Sequence, residues 1–158
     1  MLNIKHIFIN SDWGKISVEF DKNHVIYSCS LIGELSYDSK LGEWPELKDK
    51  FIDYLNGKKV NFNEQLYLDD SPNFTKEVYQ YLQKNLKWGN TISYGEVAKK
   101  VNNPKAARAI GQVMNKNIFP MFVPWHRVVA KRGLGGFAGG LDLKKKLLKI
   151  EQINIEDI

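Results

Sequence analysis

Residues 92–115 read Ile-Ser-Tyr-Gly-Glu-Val-Ala-Lys-Lys-Val-Asn-Asn-Pro-Lys-Ala-Ala-Arg-Ala-Ile-Gly-Gln-Val-Met-Asn and predict two short helices joined by a tight turn. Ser93 and Glu96 stand three residues apart, as in a capping box, so the first helix should begin at Tyr94. The segment Asn102-Asn103-Pro104 should end that helix and begin the second, because Asn is a good N-cap and Pro is tolerated in a first helical turn. The stretch is typical of a helix-turn-helix.

The second helix, which we expect to reach about Asn115, has two different faces. Its apolar residues are spaced to face the core: Ala106, Ile110, Val113 and Met114. Its other side is polar and basic: Lys105, Arg108, Gln112 and Asn115. Ala107 and Gly111 are small and one turn apart, which would let the helix backbone approach a nucleic acid, although close packing against another helix accounts for them equally well. The polar face is a candidate DNA-binding surface, with a solvated face as the alternative.

Charge is distributed unevenly along the chain. Residues 1–70 contain 8 Lys and Arg against 12 Asp and Glu, whereas residues 71–158 contain 15 against 6, so the two parts carry about −4 and +9. A polyanion would therefore bind to the second part.

Upstream of the charge switch, the sequence predicts a small antiparallel sheet with one helix. Three β-like runs, at 4–9, 15–20 and 25–32, are separated by Asn, Asp and Gly turn signals. Pro45 to Leu55 places apolar residues at helical spacing, and Gly57 follows just past the end.

The polar segment Asp69-Asp70-Ser71-Pro72 coincides with the charge switch and is the best candidate for a linker. We therefore predict an α+β protein with an N-terminal α/β domain at 1–70 and a mainly helical, winged helix-turn-helix-like DNA-binding domain at 71–158. The second domain would open with a helix from Phe74 to Leu86, with Gly89 as its stop.

Composition excludes several classes of protein. Of the 158 residues, 43% are hydrophobic and 26% are charged, which fits a globular protein rather than a disordered or fibrous one. No apolar run reaches the length of a membrane span and no signal-peptide pattern opens the chain, so we expect a cytoplasmic protein with no membrane partner. The single cysteine, Cys29, excludes an intrachain disulfide and a cysteine-cluster metal site. It lies in a β-rich segment, which favours a structural thiol over a reactive nucleophile.

A second pattern follows the helical hairpin. Residues 124–129 read Pro-Trp-His-Arg-Val-Val, and residues 133–141 read Gly-Leu-Gly-Gly-Phe-Ala-Gly-Gly-Leu. In this order, after Ile-Ser-Tyr-Gly at 92–95 and Asn-Pro-Lys-Ala-Ala-Arg-Ala-Ile-Gly at 103–111, the sequence resembles the C-terminal domain of the O6-alkylguanine-DNA alkyltransferases. The resemblance covers about Phe74 to Gln152. It implies that residues 1–70 form a ribonuclease H-like domain, although they match that family only in the general pattern of a small sheet with a helix.

The resemblance implies alkyl transfer to a cysteine, but this chain has a tryptophan at the matching position. In the family this core reads Pro-Cys-His-Arg, and the cysteine thiolate takes an alkyl group from guanine in one irreversible transfer. Here the matching position is Trp125, whose indole has no nucleophilic sulfur and only donates a hydrogen bond. The chain is similar to the alkyltransferase-like proteins, which share Pro-Trp-His-Arg and are associated with handing O6-alkylguanine to nucleotide excision repair. We therefore predict lesion binding without alkyl transfer.

The resemblance also assigns roles to individual residues. Arg108 matches the arginine that fills the gap left by the extruded nucleotide, and Tyr94 matches the tyrosine beside its phosphate. His126 and Glu151 match the hydrogen-bonded pair behind the acceptor, and Asn117 matches the asparagine that braces the active-site turn. The simpler alternatives are a phosphate-contacting cation, a packed ring and a structural buried pair. The residues predicted to contact DNA or the lesion are Tyr94, Lys105, Ala107, Arg108, Gly111, Gln112, Asn115, Trp125, Arg127, Gly136, Phe137 and Ala138.

The expected partner is double-stranded DNA that contains alkylated guanine. A monomer would dock its helix-turn-helix in the minor groove and flip the nucleotide, with nucleotide excision repair proteins as further partners and with no metal or cofactor. Two alternatives stay open. One is a true methylated-DNA–protein-cysteine methyltransferase whose acceptor cysteine has been substituted by Trp125. The other is a winged-helix transcription regulator that reads one undamaged site.

Overall fold

The computed structural model describes residues 2–158 and begins with a four-stranded sheet. The strands, which lie in the order β3-β2-β1-β4, are β1 (Lys5–Ser11), β2 (Gly14–Phe20), β3 (Ile26–Ser30) and β4 (Lys40–Leu41). The first three strands form the predicted antiparallel meander. The fourth strand corrects the prediction of a purely antiparallel sheet, because β4 pairs with β1 in parallel. Two residues are too few to show an alternating apolar pattern, which is why the sequence did not indicate this strand.

One helix, α1 (Pro45–Leu55), packs against β1 and has the predicted bounds. Pro45 occupies its first turn, where a missing N–H group breaks no hydrogen bond. Leu47, Phe51 and Tyr54 recur at helical spacing and are all buried. This helix therefore brings the Tyr54 hydroxyl into the interior, where it needs a partner.

The second part of the chain is mainly helical, as predicted. Its helices are α2 (Asn73–Asn85), α3 (Tyr94–Lys100), α4 (Ala107–Asn115) and α5 (Leu141–Ile150), and short 3₁₀ turns lie at Trp125–Arg127 and Ile155–Asp157. Between the helices, β5 (Ile92–Ser93) and β6 (Val128–Val129) form a short parallel pair. The α+β fold class is confirmed.

The ends of α2 and α3 follow the sequence signals with small differences. α3 begins at Tyr94, and the Ser93 hydroxyl accepts a hydrogen bond from the Glu96 N–H at 3.1 Å. Only this half of the predicted capping box forms, because the Glu96 carboxylate pairs with Lys99 instead. α2 ends at Asn85, so the predicted stop at Gly89 lies beyond the end of the helix.

The start of α4 differs from the prediction. The helix begins at Ala107 rather than near Pro104, because the Ala106 N–H donates to the Asn103 carbonyl in a separate turn. Asn102 has a positive φ of 60°, so the chain changes direction before it reaches the proline. The helical hairpin is preserved, but its connection is longer than the sequence indicates.

A single hydrophobic cluster contains residues from both sides of the predicted boundary at residue 70, including Val18, Phe51, Val78 and Ile110. The Cys29 N–H also donates to the Ile118 carbonyl at 2.8 Å. The division into domains at 1–70 and 71–158 stays a prediction. Within residues 2–158, no helix has the length and apolar content that crossing a bilayer requires.

Candidate nucleic-acid interface

The outer face of α4 and the turn before it carries the predicted polar residues. Four of them are exposed to solvent: Lys105, Arg108, Gln112 and Asn115. Gly111 lies on the same helix, and a Cβ added to it would meet no atom within 4 Å. No helix packs at this point, which removes the close-packing explanation for Gly111. A nucleic acid could therefore approach the α4 backbone here.

The parallel pair of β5 and β6 brings together two predicted site residues. Tyr94 follows β5 directly, and Trp125 precedes β6 in the 3₁₀ turn. Because Ile92 pairs with Val128, the two aromatic side chains meet, and the Trp125 Nε1–H donates to the Tyr94 Oη at 3.0 Å. Tyr94 is half-buried, so it joins the exposed surface to the interior position of Trp125.

Trp125 forms part of the wall of a cavity of about 250 Å³. The residue is 4% exposed, and its ring meets the Phe137 ring edge-on, with centroids 5.4 Å apart. The second part of the chain contributes Asn117, Ile118, Pro120, Trp125, Phe137, Ala138 and Gly139 to the lining. The first part contributes Cys29, Ser30, Leu31, Ile32, Glu34 and Ser36. We call this cavity the Trp125 pocket.

Gly136 was also predicted to contact the lesion. It is exposed, and a Cβ added to it would lie 3.9 Å from the Trp125 ring.

Asn117 braces the chain that leads to Trp125. Its Nδ2 donates to the Val123 carbonyl at 3.1 Å, and its Oδ1 accepts from the Phe119 N–H at 2.8 Å. Both bonds close the turn between α4 and the 3₁₀ turn, and the family role of Asn117 stays a prediction.

Glu151, at the end of α5, is the centre of a buried polar cluster that we call the Glu151 centre. Its Oε1 accepts from the Gly89 N–H at 2.9 Å and from the Arg127 Nε at 2.7 Å. Its Oε2 accepts from the Tyr54 hydroxyl at 2.6 Å, the His126 Nε2 at 2.6 Å and the Arg127 Nη2 at 3.1 Å. The predicted pair of His126 and Glu151 is present, with three further partners of the carboxylate: Gly89, Tyr54 and Arg127.

The protonation of this centre follows from its contacts. Burial raises the pKa of Glu151, but the hydrogen bonds from His126 and Arg127 and the charge of Arg127 outweigh burial and hold that pKa well below its usual range. Burial lowers the pKa of His126, against the opposing effect of Glu151. A carboxylate can only accept, so the neutral imidazole carries its hydrogen on Nε2 and keeps a lone pair on Nδ1. That Nδ1 is buried and has no protein partner among residues 2–158.

Arg127 requires a correction. It was predicted to contact DNA, but it is 4% exposed, holds Glu151 and donates from Nη1 to the Leu86 carbonyl at 2.9 Å. Every charged contact of this guanidinium lies inside the protein, so no phosphate can reach it.

Sequence reasoning also missed two residues that shape the site. Tyr54 reaches the Glu151 centre from α1, and its place in an apolar helical stripe was the available signal, because a buried hydroxyl needs a partner. Lys144 is fully buried, and its Nζ donates to the carbonyls of Val128 at 2.7 Å and Gly136 at 2.9 Å. It shares a helical face with Leu147 and Leu148, which could have revealed it within a run of lysines. Burial lowers the pKa of Lys144 to about 8.

Cys29 is buried on β3, as predicted, and it also lines the Trp125 pocket. Burial raises the pKa of its thiol far above the usual range, so the group stays protonated at neutral pH. Within residues 2–158, no group of three or more His, Cys, Asp or Glu side chains could hold a metal ion.

Several known proteins are similar to this chain in sequence. A family model described as the DNA-binding domain of 6-O-methylguanine DNA methyltransferase matches residues 73–153. The methylated-DNA–protein-cysteine methyltransferase of Sulfolobus acidocaldarius is 40% identical over 111 residues, which are 70% of this chain and 69% of that relative. The constitutive enzyme of that name from Bacillus subtilis is 37% identical over 114 residues, or 71% of this chain and 68% of that relative.

The fold is similar to solved structures over nearly its full length. Mycobacterium tuberculosis OGT, crystallised in complex with DNA, superposes with a TM-score of 0.81 at 28% identity, covering 94% of this chain and 93% of that one. The O6-methylguanine-DNA methyltransferase of Pyrococcus kodakaraensis gives a TM-score of 0.72 at 26% identity, covering 95% and 99%. The family model spans more than half of the chain, and the structural similarity extends through the N-terminal sheet. The chain belongs to the O6-alkylguanine-DNA alkyltransferase family.

Proposed function

We propose that this protein binds double-stranded DNA that contains O6-alkylguanine, flips the damaged nucleotide out and does not accept its alkyl group. The observation that carries the proposal is Trp125, which forms the pocket wall while the Glu151 centre behind it is complete. An indole has no nucleophilic sulfur, so alkyl transfer to this position cannot occur. Cys29 does not replace the acceptor, because its buried thiol stays protonated.

Binding without alkyl transfer can still serve repair if the site distinguishes damaged from undamaged nucleotides. Flipping a nucleotide costs a few kcal/mol, and it costs less where damage has already weakened the base pair. Arg108 is exposed on α4 and would enter the vacated stack from the minor groove, while Tyr94 would lie beside the backbone. Trp125 and Phe137 would give the extruded base apolar aromatic surface to rest on. The bound complex would then mark the lesion for nucleotide excision repair.

A second candidate function follows from the relatives, several of which are named as methylated-DNA–protein-cysteine methyltransferases. In that case, a cysteine would be the natural residue at position 125. The codon at position 125 in the natural gene separates the two, because a cysteine codon there would identify a methyltransferase whose acceptor has been substituted. Mass spectrometry of this chain after incubation with an O6-methylguanine duplex tests the absence of transfer: we expect no added methyl group, and a stable increase of one methyl mass would reject the non-transfer function.

A gel-shift titration tests the binding itself. Matched duplexes with guanine or O6-methylguanine are compared at 50 and 200 mM salt, where we expect tighter binding of the lesion and weaker binding of both duplexes at high salt. Equal affinity for the two duplexes would overturn the proposal and would favour a general DNA-binding or regulatory role.

The flipping step is tested with Arg108→Ala and with Lys105→Ala as its matched control. Arg108→Ala should weaken lesion binding more than it weakens binding of the guanine duplex, because Arg108 would fill the stack. Lys105→Ala should weaken both equally, as a phosphate contact does. If Arg108→Ala lost equal affinity for the two duplexes, Arg108 would act only as a phosphate contact.

A further inference from the structure

We propose that the loop between β3 and β4, residues 31–39, is the wall that selects among O6-substituents, a role that rests on the proposed function. We call it the β3–β4 loop. It lies in the first part of the chain, outside the residues matched by the family model. Through it, the N-terminal sheet would take part in recognising the lesion.

The loop and Trp125 line the same pocket. Leu31, Ile32, Glu34 and Ser36 contribute to its lining together with Trp125 and the segment 137–139. Ile32 is 59% exposed although it is aliphatic and sits at the cavity. Ile118, 45% exposed, lines the same cavity from the other part of the chain. The Trp125 pocket therefore has exposed apolar surface contributed by both parts of the chain.

Several hydrogen bonds hold the start of the loop in place. The Trp13 Nε1 donates to the Leu31 carbonyl at 2.8 Å, and the Ser17 hydroxyl donates to the Glu34 carbonyl at 2.6 Å. The Ser30 hydroxyl accepts from the Glu34 N–H at 3.1 Å. The donors Trp13 and Ser17 lie on or beside the meander, so these hydrogen bonds hold the pocket wall in place without a ligand.

Glu19 holds the rest of the loop from below. This carboxylate is fully buried on β2 and accepts from the Ser36 N–H at 2.6 Å, the Tyr37 N–H at 3.1 Å and the Ser39 hydroxyl at 2.7 Å. The Ser28 hydroxyl donates to it at 2.7 Å from β3. Among residues 2–158, no cation forms an ion pair with Glu19, so its full hydrogen-bonding capacity serves the loop and its neighbours. Glu19 is a positioning residue that acts through the loop.

A preformed apolar wall distinguishes O6-substituents by the apolar area that each one buries against it. No ordering entropy is lost when a preformed surface is covered, and the gain grows with the apolar area that a substituent buries. A methyl group would cover little of Ile32, whereas a benzyl group would cover more. The loop should therefore favour larger apolar O6-substituents.

The test compares Ile32→Ala with Leu35→Ala on duplexes that contain guanine, O6-methylguanine or O6-benzylguanine. Leu35 is a matched control, since it is a 41% exposed aliphatic residue of the same loop that does not line the pocket. Ile32→Ala should reduce the preference for benzylguanine over guanine about tenfold, with a smaller effect on methylguanine and none on guanine. Leu35→Ala should change none of the three affinities.

Glu19→Gln tests the support of the wall. It should speed hydrogen exchange at the Ser36 and Tyr37 amides and lower the benzylguanine preference while guanine binding is kept; if this variant does not fold, the Ile32 and Leu35 pair still decides. Equal effects of Ile32→Ala and Leu35→Ala on the benzylguanine preference would overturn the role of the loop and leave the proposed function standing. A wild-type protein that binds all three duplexes equally would overturn both.

Discussion

The molecule buries two glutamates, one in each part of the chain, and satisfies them differently. Glu19 in the sheet accepts hydrogen bonds from serine hydroxyls and backbone N–H groups only. Glu151 accepts from Gly89, Tyr54 and His126, and it also pairs with the buried guanidinium of Arg127. One carboxylate is stabilised by neutral dipoles, and the other by a charge.

This difference determines how much stability the protein should lose when each glutamate is substituted. Removing the charge of Glu19 leaves neutral donors with one weaker acceptor, and the neighbouring loop can adjust. Removing the charge of Glu151 leaves Arg127 charged and buried without compensation, which is one of the largest single penalties known in protein interiors. Removing a carboxylate charge should therefore destabilise the C-terminal site more than the N-terminal sheet.

Glu151→Gln should show the largest effect. We expect a loss of about 3–5 kcal/mol in the free energy of unfolding, against about 1–3 kcal/mol for Glu19→Gln, which alters hydrogen bonds without isolating a buried cation. Urea denaturation of the two variants and the wild type measures both losses. Similar losses in the two variants would remove the distinction between charge and dipole stabilisation.

Acid should act through the C-terminal site. The pKa of Glu151 is lowered in the folded protein, so its stabilisation is present above the carboxyl pKa of the unfolded chain and is lost as pH falls below it. The lowered pKa of His126 acts in the same direction, because the unfolded chain binds a proton below about pH 6.5 that the folded chain resists. Stability measured from pH 7 to 3 should fall less steeply in Glu151→Gln than in the wild type. A parallel fall in the two proteins would locate acid sensitivity elsewhere.

Lys144→Met tests a further buried charge of the C-terminal part. The folded amine loses its proton at about pH 8, whereas an unfolded lysine keeps it until about pH 10.4. The unfolded state binds more protons in this window, so the stability of the wild type should rise relative to the variant, by about 1–3 kcal/mol between pH 8 and 10.4. A pH-independent difference between the two proteins would show that Lys144 keeps its proton throughout.

Tyr54→Phe should have the smallest effect of the four. It removes one hydrogen bond to Glu151 while Arg127 and His126 stay in place, so we expect a loss of about 1–2 kcal/mol in the free energy of unfolding. The half-buried Tyr81→Phe serves as a background control in the same thermal or urea assay, since the Tyr81 hydroxyl makes no hydrogen bond to this centre. A loss as large as that of Glu151→Gln would mean that the phenol, rather than the guanidinium, holds the carboxylate.

The elements with strong periodic signals could be predicted from the sequence. Pro45 to Leu55 and the start of α3 at Tyr94 are correct because a helical stripe and a Ser N-cap are local signals. β4 and the connection before α4 were missed or misplaced. Their shape depends on pairing with β1 and on the positive φ of Asn102, neither of which a local pattern contains.

The sequence indicated those residues of the candidate site that lie within a recognisable motif. Trp125 and Asn117 line one pocket, and His126 is hydrogen-bonded to Glu151, while the roles of these residues in binding the lesion stay predictions. Arg127 was misassigned because a basic residue within a basic part of the chain looks like a phosphate contact until its burial is known. Cys29 and Ile32 could not be placed in the pocket, because they come from a distant strand and loop that only the tertiary fold brings to Trp125.

The Tyr54–Glu151 hydrogen bond joins residues that lie 97 positions apart in the sequence. Its consequence is historical as much as structural, because the two positions cannot change independently once they share a buried bond. A lineage that lost its N-terminal part, including α1, would lose the phenol and would need a compensating donor near Glu151 before or soon after the deletion. The order in which such changes are tolerated is therefore constrained, and retention of the N-terminal half in this chain keeps position 151 restricted to a residue that can accept from both Tyr54 and Arg127.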